Sequence, residues 1–165
     1  MIFISENKSE KYNECIREFI DQKFYKRLFV SNPSTYFSIT FTMKQTLNDM
    51  KLDEINFSQD FRHFMNRLNY KIFKNSYKRY NKRLNVIPIL EKSNNDRFHY
   101  HCLIEKPNRL KDREFTNLIE SEFSKTKLSY DDIDIKRQSK PISSFSSYTT
   151  KRRQYNIVDL ENLYI

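Results

Sequence analysis

The chain has 165 residues and a formal charge of +9, with 14 Phe and 11 Tyr but no Trp. Its length indicates one domain with a substantial core, and its charge indicates a polyanionic partner. The complete absence of glycine excludes glycine-rich phosphate loops and dinucleotide-binding turns, because both need backbone that approaches phosphate closely.

The two cysteines have neither a disulfide framework nor a metal-binding spacing. Cys15 and Cys102 are therefore expected to be reduced thiols in a cytoplasmic protein. No apolar run approaches membrane-spanning length, and the N-terminus lacks the basic-then-apolar pattern of a signal peptide. We expect no membrane partner.

The first elements along the chain are predicted from two kinds of periodicity. Residues 9–29 repeat apolar side chains every three or four positions, which is typical of an amphipathic helix. A break at Pro33 follows. Thr35–Met43 alternates apolar with mostly hydroxyl-bearing side chains and is predicted to be a strand. Residues 45–55 are ambiguous and indicate a loop with a short helix.

A second helix is predicted from Phe57 to Phe73, and the segment from Phe61 to Leu90 is strongly basic. It contains eight basic side chains and no acidic one, with three tyrosines among them. Basic side chains neutralise phosphates while aromatic rings stack on unpaired bases, so this surface is predicted to bind nucleic acid. A merely solvated helix face is the alternative. The basic residues are Arg62, Arg67, Lys71, Lys74, Lys78, Arg79, Lys82 and Arg83.

The middle of the chain is predicted to form a β-hairpin. Asn85–Lys92 is mostly apolar, and its Pro88 lacks an N–H donor, which favours an edge position or a bulge. Arg97–Glu105 alternates as a half-buried strand does, and a tight turn over Ser93–Asp96 connects the two. Without glycine, asparagines are expected to take the left-handed turn positions, most clearly in Asn94-Asn95-Asp96.

The last third of the chain is predicted to contain a helix, a strand and a second helix. Asp112 is expected to cap the first helix, and a short strand is predicted within 130–138. Pro141 begins a serine-rich helix that extends to Arg153. Residues 155–165 are expected to be either a docking strand or a frayed tail.

Two histidines in the hairpin are the main candidates for chemistry. His99 and His101 lie on one face of the predicted strand, close enough to share one ion. Glu91 precedes His99 by eight residues, so a four-residue turn could place its carboxylate beside the imidazoles. This set suits Mn²⁺ or Mg²⁺ held against a phosphate, with Zn²⁺ as an alternative. A strand that merely exposes two imidazoles is the competing interpretation. The third histidine, His63, lies among core and basic residues of the second helix.

Tyr148 and Lys151 are three positions apart on the serine-rich helix and therefore share a face. A tyrosine oxygen forms a covalent phosphodiester with DNA when a metal ion polarises the phosphate and a cation lies nearby. Tyr148 is the candidate nucleophile, and Lys151 is a candidate for steadying the phosphate or activating the tyrosine. Arg152 and Arg153 are predicted to contact DNA.

Three motifs, in this order, resemble those of HUH endonucleases. They are the hydroxyl-rich strand Phe37–Thr42, the sequence His99-Tyr100-His101, and the sequence Tyr148-Thr149-Thr150-Lys151. The resemblance covers about Tyr36 to Arg153. It is strongest to the single-tyrosine rolling-circle replication initiators, the Rep proteins of small plasmids and viruses.

The resemblance implies a single HUH endonuclease domain over residues 1–165. Its fold is α+β and related to ferredoxin-like folds, with a central antiparallel sheet of about five strands flanked by helices. The resemblance further implies that His99 and His101 bind the divalent ion with Glu91 as a third ligand.

The resemblance also implies that Tyr148 is the nucleophile and Lys151 its helper. Some relatives carry a second catalytic tyrosine one helical turn further on. Here Lys151 and Arg152 occupy those places and Tyr155 lies two turns away, which favours a single nucleophile.

The function that the resemblance implies is metal-dependent, site-specific nicking and rejoining of DNA through a 5′-phosphotyrosine. The implied partners are single-stranded or hairpin DNA at a replication origin, a host helicase and polymerase, and a second copy of the chain if a homodimer forms. Two alternatives stay open. One is a single-tyrosine transposase or relaxase, which Gln154 near the tyrosine keeps in view. The other is a non-enzymatic DNA-binding regulator that uses the basic helix.

Overall fold

The structure is a computed structural model that describes residues 35–138, except Asn94, and residues 155–164. Of the N-terminal segment it describes only Cys15 and Glu18, which are both helical and exposed. Most of the predicted helix at 9–29 and all of the predicted serine-rich helix therefore lie outside the described residues. Within those residues, no helix combines the length and apolar character that crossing a membrane requires.

A five-stranded antiparallel sheet forms the centre of the fold. The strands in chain order are β1 (Tyr36–Met43), β2 (Thr46–Leu47), β3 (Met50–Lys51), β4 (Val86–Lys92), β5 (Phe98–Glu105), β6 (Ser129–Arg137) and β7 (Tyr155–Val158). The order across the sheet is β6-β1-β5-β4-β7, while β2 and β3 form a separate small hairpin. The described helices are α1 (Glu54–Phe73), α2 (Asn75–Tyr80) and α3 (Asp112–Phe123). The predicted α+β fold is confirmed.

One face of the sheet is apolar and packs against α1 and α3. It consists of alternate strand residues such as Phe37, Ile39 and Phe41, each at most 3% exposed. The Phe41 ring lies 5.1 Å from that of Phe64 in α1 and 4.5 Å from that of Phe123 in α3. Such aromatic pairs add about 0.5–1.5 kcal/mol each beyond the burial of their area. The alternation along β1 thus fixes which face of the sheet the helices cover.

Helix α1 begins three residues earlier than predicted because of a capping box. The Asp53 carboxylate accepts a hydrogen bond from the Asn56 N–H at 3.0 Å, and the Asn56 side chain accepts one from the Asp53 N–H at 3.2 Å. The basic segment does not continue as one helix through Tyr80. The chain turns at Lys74, which has φ 50° and ψ −123°, and α2 follows.

Left-handed turn positions are occupied mostly by Asn and Asp, as the lack of glycine predicts. Two consecutive ones, Asn48 and Asp49, make the two-residue turn between β2 and β3. A β-hairpin therefore replaces the short helix expected within 45–55. The described residues with positive φ are Asn48, Asp49, Lys74, Asn81 and Asp96.

Strand β4 is not at the edge of the sheet, contrary to the expectation from Pro88, because residues 155–158 dock beside it as β7. Pairing with β7 starts at Ile89. Pro88 lies just beyond this pairing, where its carbonyl accepts a hydrogen bond from the Asp159 N–H at 3.1 Å. A missing donor is tolerated at the end of a ladder.

The cap predicted for the third helix is displaced by one residue. Lys111 occupies the N-cap position of α3, and Asp112 is the first helical residue. The Glu114 carboxylate accepts a hydrogen bond from the Lys111 N–H at 2.9 Å. An acid in the first helical turn can satisfy a free N–H as well as a capping residue does, which explains the displacement.

Candidate active site

The face of the sheet turned away from α1 and α3 carries the predicted site. The register sets Thr42, His99 and Glu91 opposite one another on β1, β5 and β4. Thr40 and His101 form the neighbouring cross-strand pair on β1 and β5. Directly opposed residues in an antiparallel sheet share a face. The structure therefore brings both hairpin histidines and Glu91 together, next to the hydroxyl groups of β1.

Glu91 and His101 are in direct contact. Oε2 of Glu91 lies 2.6 Å from Nε2 of His101, and Oγ1 of Thr40 lies 3.1 Å from Nδ1 of the same ring. Glu91 is 7% exposed and His101 is 8% exposed. A buried carboxylate of this kind needs such a partner, since burial of an unpaired charge is costly. Contacts on both nitrogens hold the His101 ring in one orientation.

His99 is half-buried and lies beside this pair. Burial and the neighbouring His101 hold the pKa of His99 below its ordinary value, while the Glu91 carboxylate opposes them. His99 is therefore a neutral imidazole at neutral pH, and this is the form that binds metal ions. Asp132 lies close by, since Thr42 Oγ1 donates to its Oδ2 at 3.5 Å.

Sequence reasoning missed two polar side chains near the histidines. Thr40 was recognised only as one of the hydroxyl groups on β1, and Asp132 belongs to a strand about thirty residues further along the chain. The pairing of β6 with β1 brings Asp132 to this face. Alternation within β6 could have shown that Asp132 and Asp134 share a face, but not which strand they adjoin.

The donor atoms at this site are of the types that divalent ions bind in proteins. Within the part of the chain that the structure describes, no group of three His, Cys, Asp or Glu side chains is arranged as a metal site. The hydrogen bond between Glu91 and His101 occupies the two donor atoms best placed to bind an ion. An ion held by both would replace that hydrogen bond, and His101 Nδ1 would then donate to Thr40 Oγ1, a common arrangement around ligating histidines. The chemistry of the donor set therefore fits Mn²⁺ or Mg²⁺.

The four functional residues predicted near the C-terminus, Tyr148, Lys151, Arg152 and Arg153, lie outside the described residues. The structure does describe the strand that follows them. In β7, Asn156 is paired with Glu91 and Tyr155 with Lys92.

The predicted DNA-binding residues of the basic segment are on the opposite side of the sheet from the histidines. Three of them make contacts within the protein. Arg62 pairs with Glu161, Arg67 donates to the backbone carbonyl of Glu122 at 2.9 Å, and Arg83 donates to two asparagines. The other five are exposed, namely Lys71, Lys74, Lys78, Arg79 and Lys82. The structure does not bring any of the eight to the histidine site.

His63 is also separate from this site. It is exposed on α1 and lines a cavity of about 500 Å³ together with Arg67 and Lys125–Leu128. Because α1 packs on the apolar face of the sheet, His63 and the hairpin histidines lie on opposite sides.

A basic α+β protein with paired histidines on an antiparallel sheet is consistent with the nuclease-type replication initiators. The model of a family described as replication-associated protein, of the ORF2 type, matches residues 35–153, well over half of the chain. The chain belongs to this replication-associated protein family, which supports a role in replication initiation. No curated protein and no solved structure matches the chain.

Proposed function

We propose that the chain initiates rolling-circle replication by nicking one DNA strand and retaining its 5′ end on Tyr148. The observation that carries this proposal is the contact of Glu91 with His101, beside His99, on the sheet of a member of the replication-associated protein family. A buried carboxylate beside two imidazoles on an otherwise hydroxyl-lined face is unusual for a merely structural surface.

His99, His101 and Glu91 would hold the divalent ion. When bound, Mn²⁺ or Mg²⁺ supplies a Lewis acid that polarises the scissile phosphate. The contribution of the protein is to hold the donor atoms in place. Thr40 orients the His101 ring through Nδ1, and burial keeps His99 neutral.

Chain connectivity supports Tyr148 as the nucleophile. Asn156 pairs with Glu91 in the sheet, and Tyr148 precedes Asn156 by eight residues. Eight residues span at most about 28 Å when extended and about 12 Å when helical. Whatever the fold of the intervening residues, Tyr148 is tethered close to the β4 edge of the histidine site.

In the proposed reaction the phenol oxygen of Tyr148 attacks the phosphorus in line with the leaving 3′-oxygen. The P–O3′ bond breaks, the phenol proton passes to solvent, and the departing 3′-oxygen takes up a proton. The products are a 5′-phosphotyrosyl link and a 3′-hydroxyl that primes synthesis. Lys151 would steady the phosphate. Reversal by a 3′-hydroxyl rejoins the strand without ATP, which agrees with a chain that lacks glycine-rich nucleotide motifs.

The test is trapping of a covalent adduct. Single-stranded oligonucleotides that tile inverted repeats near the gene are incubated with the protein and Mn²⁺, and the products are separated under denaturing conditions and weighed by mass spectrometry. We expect an adduct on Tyr148 with the wild type, none with Tyr148→Phe, and an undiminished amount with Tyr155→Phe. A wild type that forms no adduct with any oligonucleotide, or a Tyr148→Phe variant that forms as much, would falsify the proposal.

A non-enzymatic replication regulator is the second candidate, favoured by the five exposed cations of the basic segment. A regulator would bind DNA equally well with and without chelator. It would form no covalent adduct, and it would bind unchanged after His99→Ala and His101→Ala.

A further inference from the structure

The end of α1, all of α2 and the turn after it form an exposed cationic surface. We name it the basic platform, and it consists of Lys71, Lys74, Lys78, Arg79, Tyr80 and Lys82, each of which is exposed. No residue of α2 is buried, so this helix adds nothing to the apolar core. A helix whose side chains the core does not use is free to take part in binding.

Two aromatic rings hold platform lysines in place. Nζ of Lys78 lies 5.0 Å from the centre of the Tyr70 ring, and Nζ of Lys74 lies 5.9 Å from it. Nζ of Lys82 lies 5.4 Å from the centre of the Phe73 ring. These are cation–π distances. The lysines are thereby partly ordered in advance, which lowers the entropy lost when they bind a ligand.

The position of α2 against α1 is fixed by polar contacts. The Tyr77 hydroxyl donates to Oδ1 of Asn66 at 2.9 Å, and the Arg83 guanidinium donates to the same oxygen at 3.1 Å. That guanidinium also lies 4.9 Å from the centre of the Tyr77 ring. Arg83 therefore acts as a structural residue, and the cations of α2 are presented from a fixed support.

The charge of the platform is not compensated nearby. The segment from Phe61 to Leu90 contains no acidic residue. Across the part of the chain described by the structure, no platform cation forms an ion pair, in contrast to Arg62 and Arg67, which pair with Glu161 and Glu122. A field of one sign on a rigid support attracts a polyanion.

Tyr80 indicates which polyanion fits. It is 77% exposed, more than any other large hydrophobic side chain among the described residues. No described residue makes a ring or cation contact with it, unlike Tyr70, whose ring is occupied by two lysines. An exposed ring among phosphate-binding cations stacks on an unpaired base, whereas the bases of a duplex are already stacked on one another.

We propose that the basic platform is a second, metal-independent binding site for single-stranded DNA, with Tyr80 as its stacking residue. The platform lies on the helical side of the sheet, and His99 and His101 lie on the other. A strand nicked at the histidine site would therefore be held at the platform through a different segment. The choice of DNA over RNA rests on the proposed initiator function.

The test is equilibrium binding of a fluorescent oligothymidine of about 12 nucleotides, within the usual range of single-strand sites. The oligonucleotide contains no origin sequence and the buffer contains EDTA, so nicking makes no contribution. We expect Tyr80→Ala to weaken binding about tenfold without changing its salt dependence, and Tyr80→Phe to restore it. Lys74→Met combined with Lys78→Met should lower the slope of log K against log salt by about 1.4, since each phosphate contact contributes about 0.7.

A variant with the same loss of charge provides the control. Lys111→Met combined with Arg113→Met removes two cations at the start of α3 and should leave the salt slope nearly unchanged. The inference is overturned if this control loses as much affinity as the platform variant, or if Tyr80→Ala binds as the wild type does. It is also overturned by tighter binding to a duplex of equal length, or by binding to anionic lipid vesicles without binding to the oligonucleotide. The proposed nicking activity has its own readout, the Tyr148 adduct, so the two proposals can fail independently.

Discussion

Glu91 lies directly opposite His99 in the β4–β5 hairpin, yet its carboxylate bonds to the diagonal neighbour His101, with Oε2 2.6 Å from Nε2. Diagonal neighbours of an antiparallel pair are within reach of long side chains. One carboxylate is therefore close to both imidazoles, and a change at Glu91 affects both candidate metal ligands.

We expect Glu91→Gln to weaken Mn²⁺ binding by about tenfold or more, because a neutral amide replaces a charged oxygen ligand. Isothermal titration of the protein with Mn²⁺, in the absence of DNA, measures this directly. Glu120→Gln, at an exposed position on α3, is the matched control and should bind as the wild type does. An unchanged affinity in Glu91→Gln would remove Glu91 from the proposed ligand set.

Thr40→Val tests whether the contact with His101 Nδ1 orients the ring. Valine has nearly the shape of threonine but cannot exchange the hydrogen bond that spans 3.1 Å. Loss of such a partner usually lowers metal affinity about 10–100-fold. Thr40→Ser keeps the hydroxyl and should stay close to the wild type. If the valine and serine variants titrate alike with Mn²⁺, the threonine has no positioning role.

The elements around the site were predictable because their signals are local. Alternation marks β1 and β5, and a repeat of three to four residues marks α1 and α3. The position of Glu91 beside the histidines follows from the four-residue turn, since the turn sets the register of a hairpin. These features need no knowledge of distant parts of the chain.

Features that depend on distant contacts were not predictable. Nothing in the residues around Lys74 signals a helix end, since lysine favours helices and the usual left-handed residues are absent there. The docking of β7 on β4 depends on residues about seventy positions apart. Periodicity shows that the basic side chains point outward from α1. It does not show that α1 lies across the sheet from the histidines.

Tyr100 provides a test at alkaline pH. Its buried hydroxyl donates to Asp159 Oδ2 at 2.6 Å, and burial together with that carboxylate raises the pKa of Tyr100 well above its ordinary value. The unfolded chain ionises this phenol above about pH 10, whereas the folded chain does not. The stabilisation is therefore complete below pH 10 and is lost as the pH rises further, by up to about 1.4 kcal/mol per pH unit.

The comparison with Tyr100→Phe isolates this effect from the other tyrosines and lysines. At pH 8 we expect Tyr100→Phe to lower the free energy of unfolding by about 1–3 kcal/mol, since it removes a buried hydrogen bond to a charged group. The difference should narrow above pH 10, because only the wild type pays for keeping this phenol neutral. Urea unfolding of both proteins from pH 8 to 11 measures it. Curves that stay parallel over this range would contradict the assignment.

Lys74 makes the turn between α1 and α2 with φ 50° and ψ −123°, a conformation that costs a residue with a Cβ about 1–3 kcal/mol. We expect Lys74→Gly to raise the free energy of unfolding by about 1 kcal/mol, since the relief of strain outweighs the greater entropy of glycine in the unfolded chain. Lys74→Ala keeps the Cβ and should bring no such gain. Both variants remove the same charge from the basic platform, so oligothymidine binding should fall equally in the two. Thermal unfolding and anisotropy measure these effects separately, and equal stability of the glycine and alanine variants would mean that the turn stores no strain.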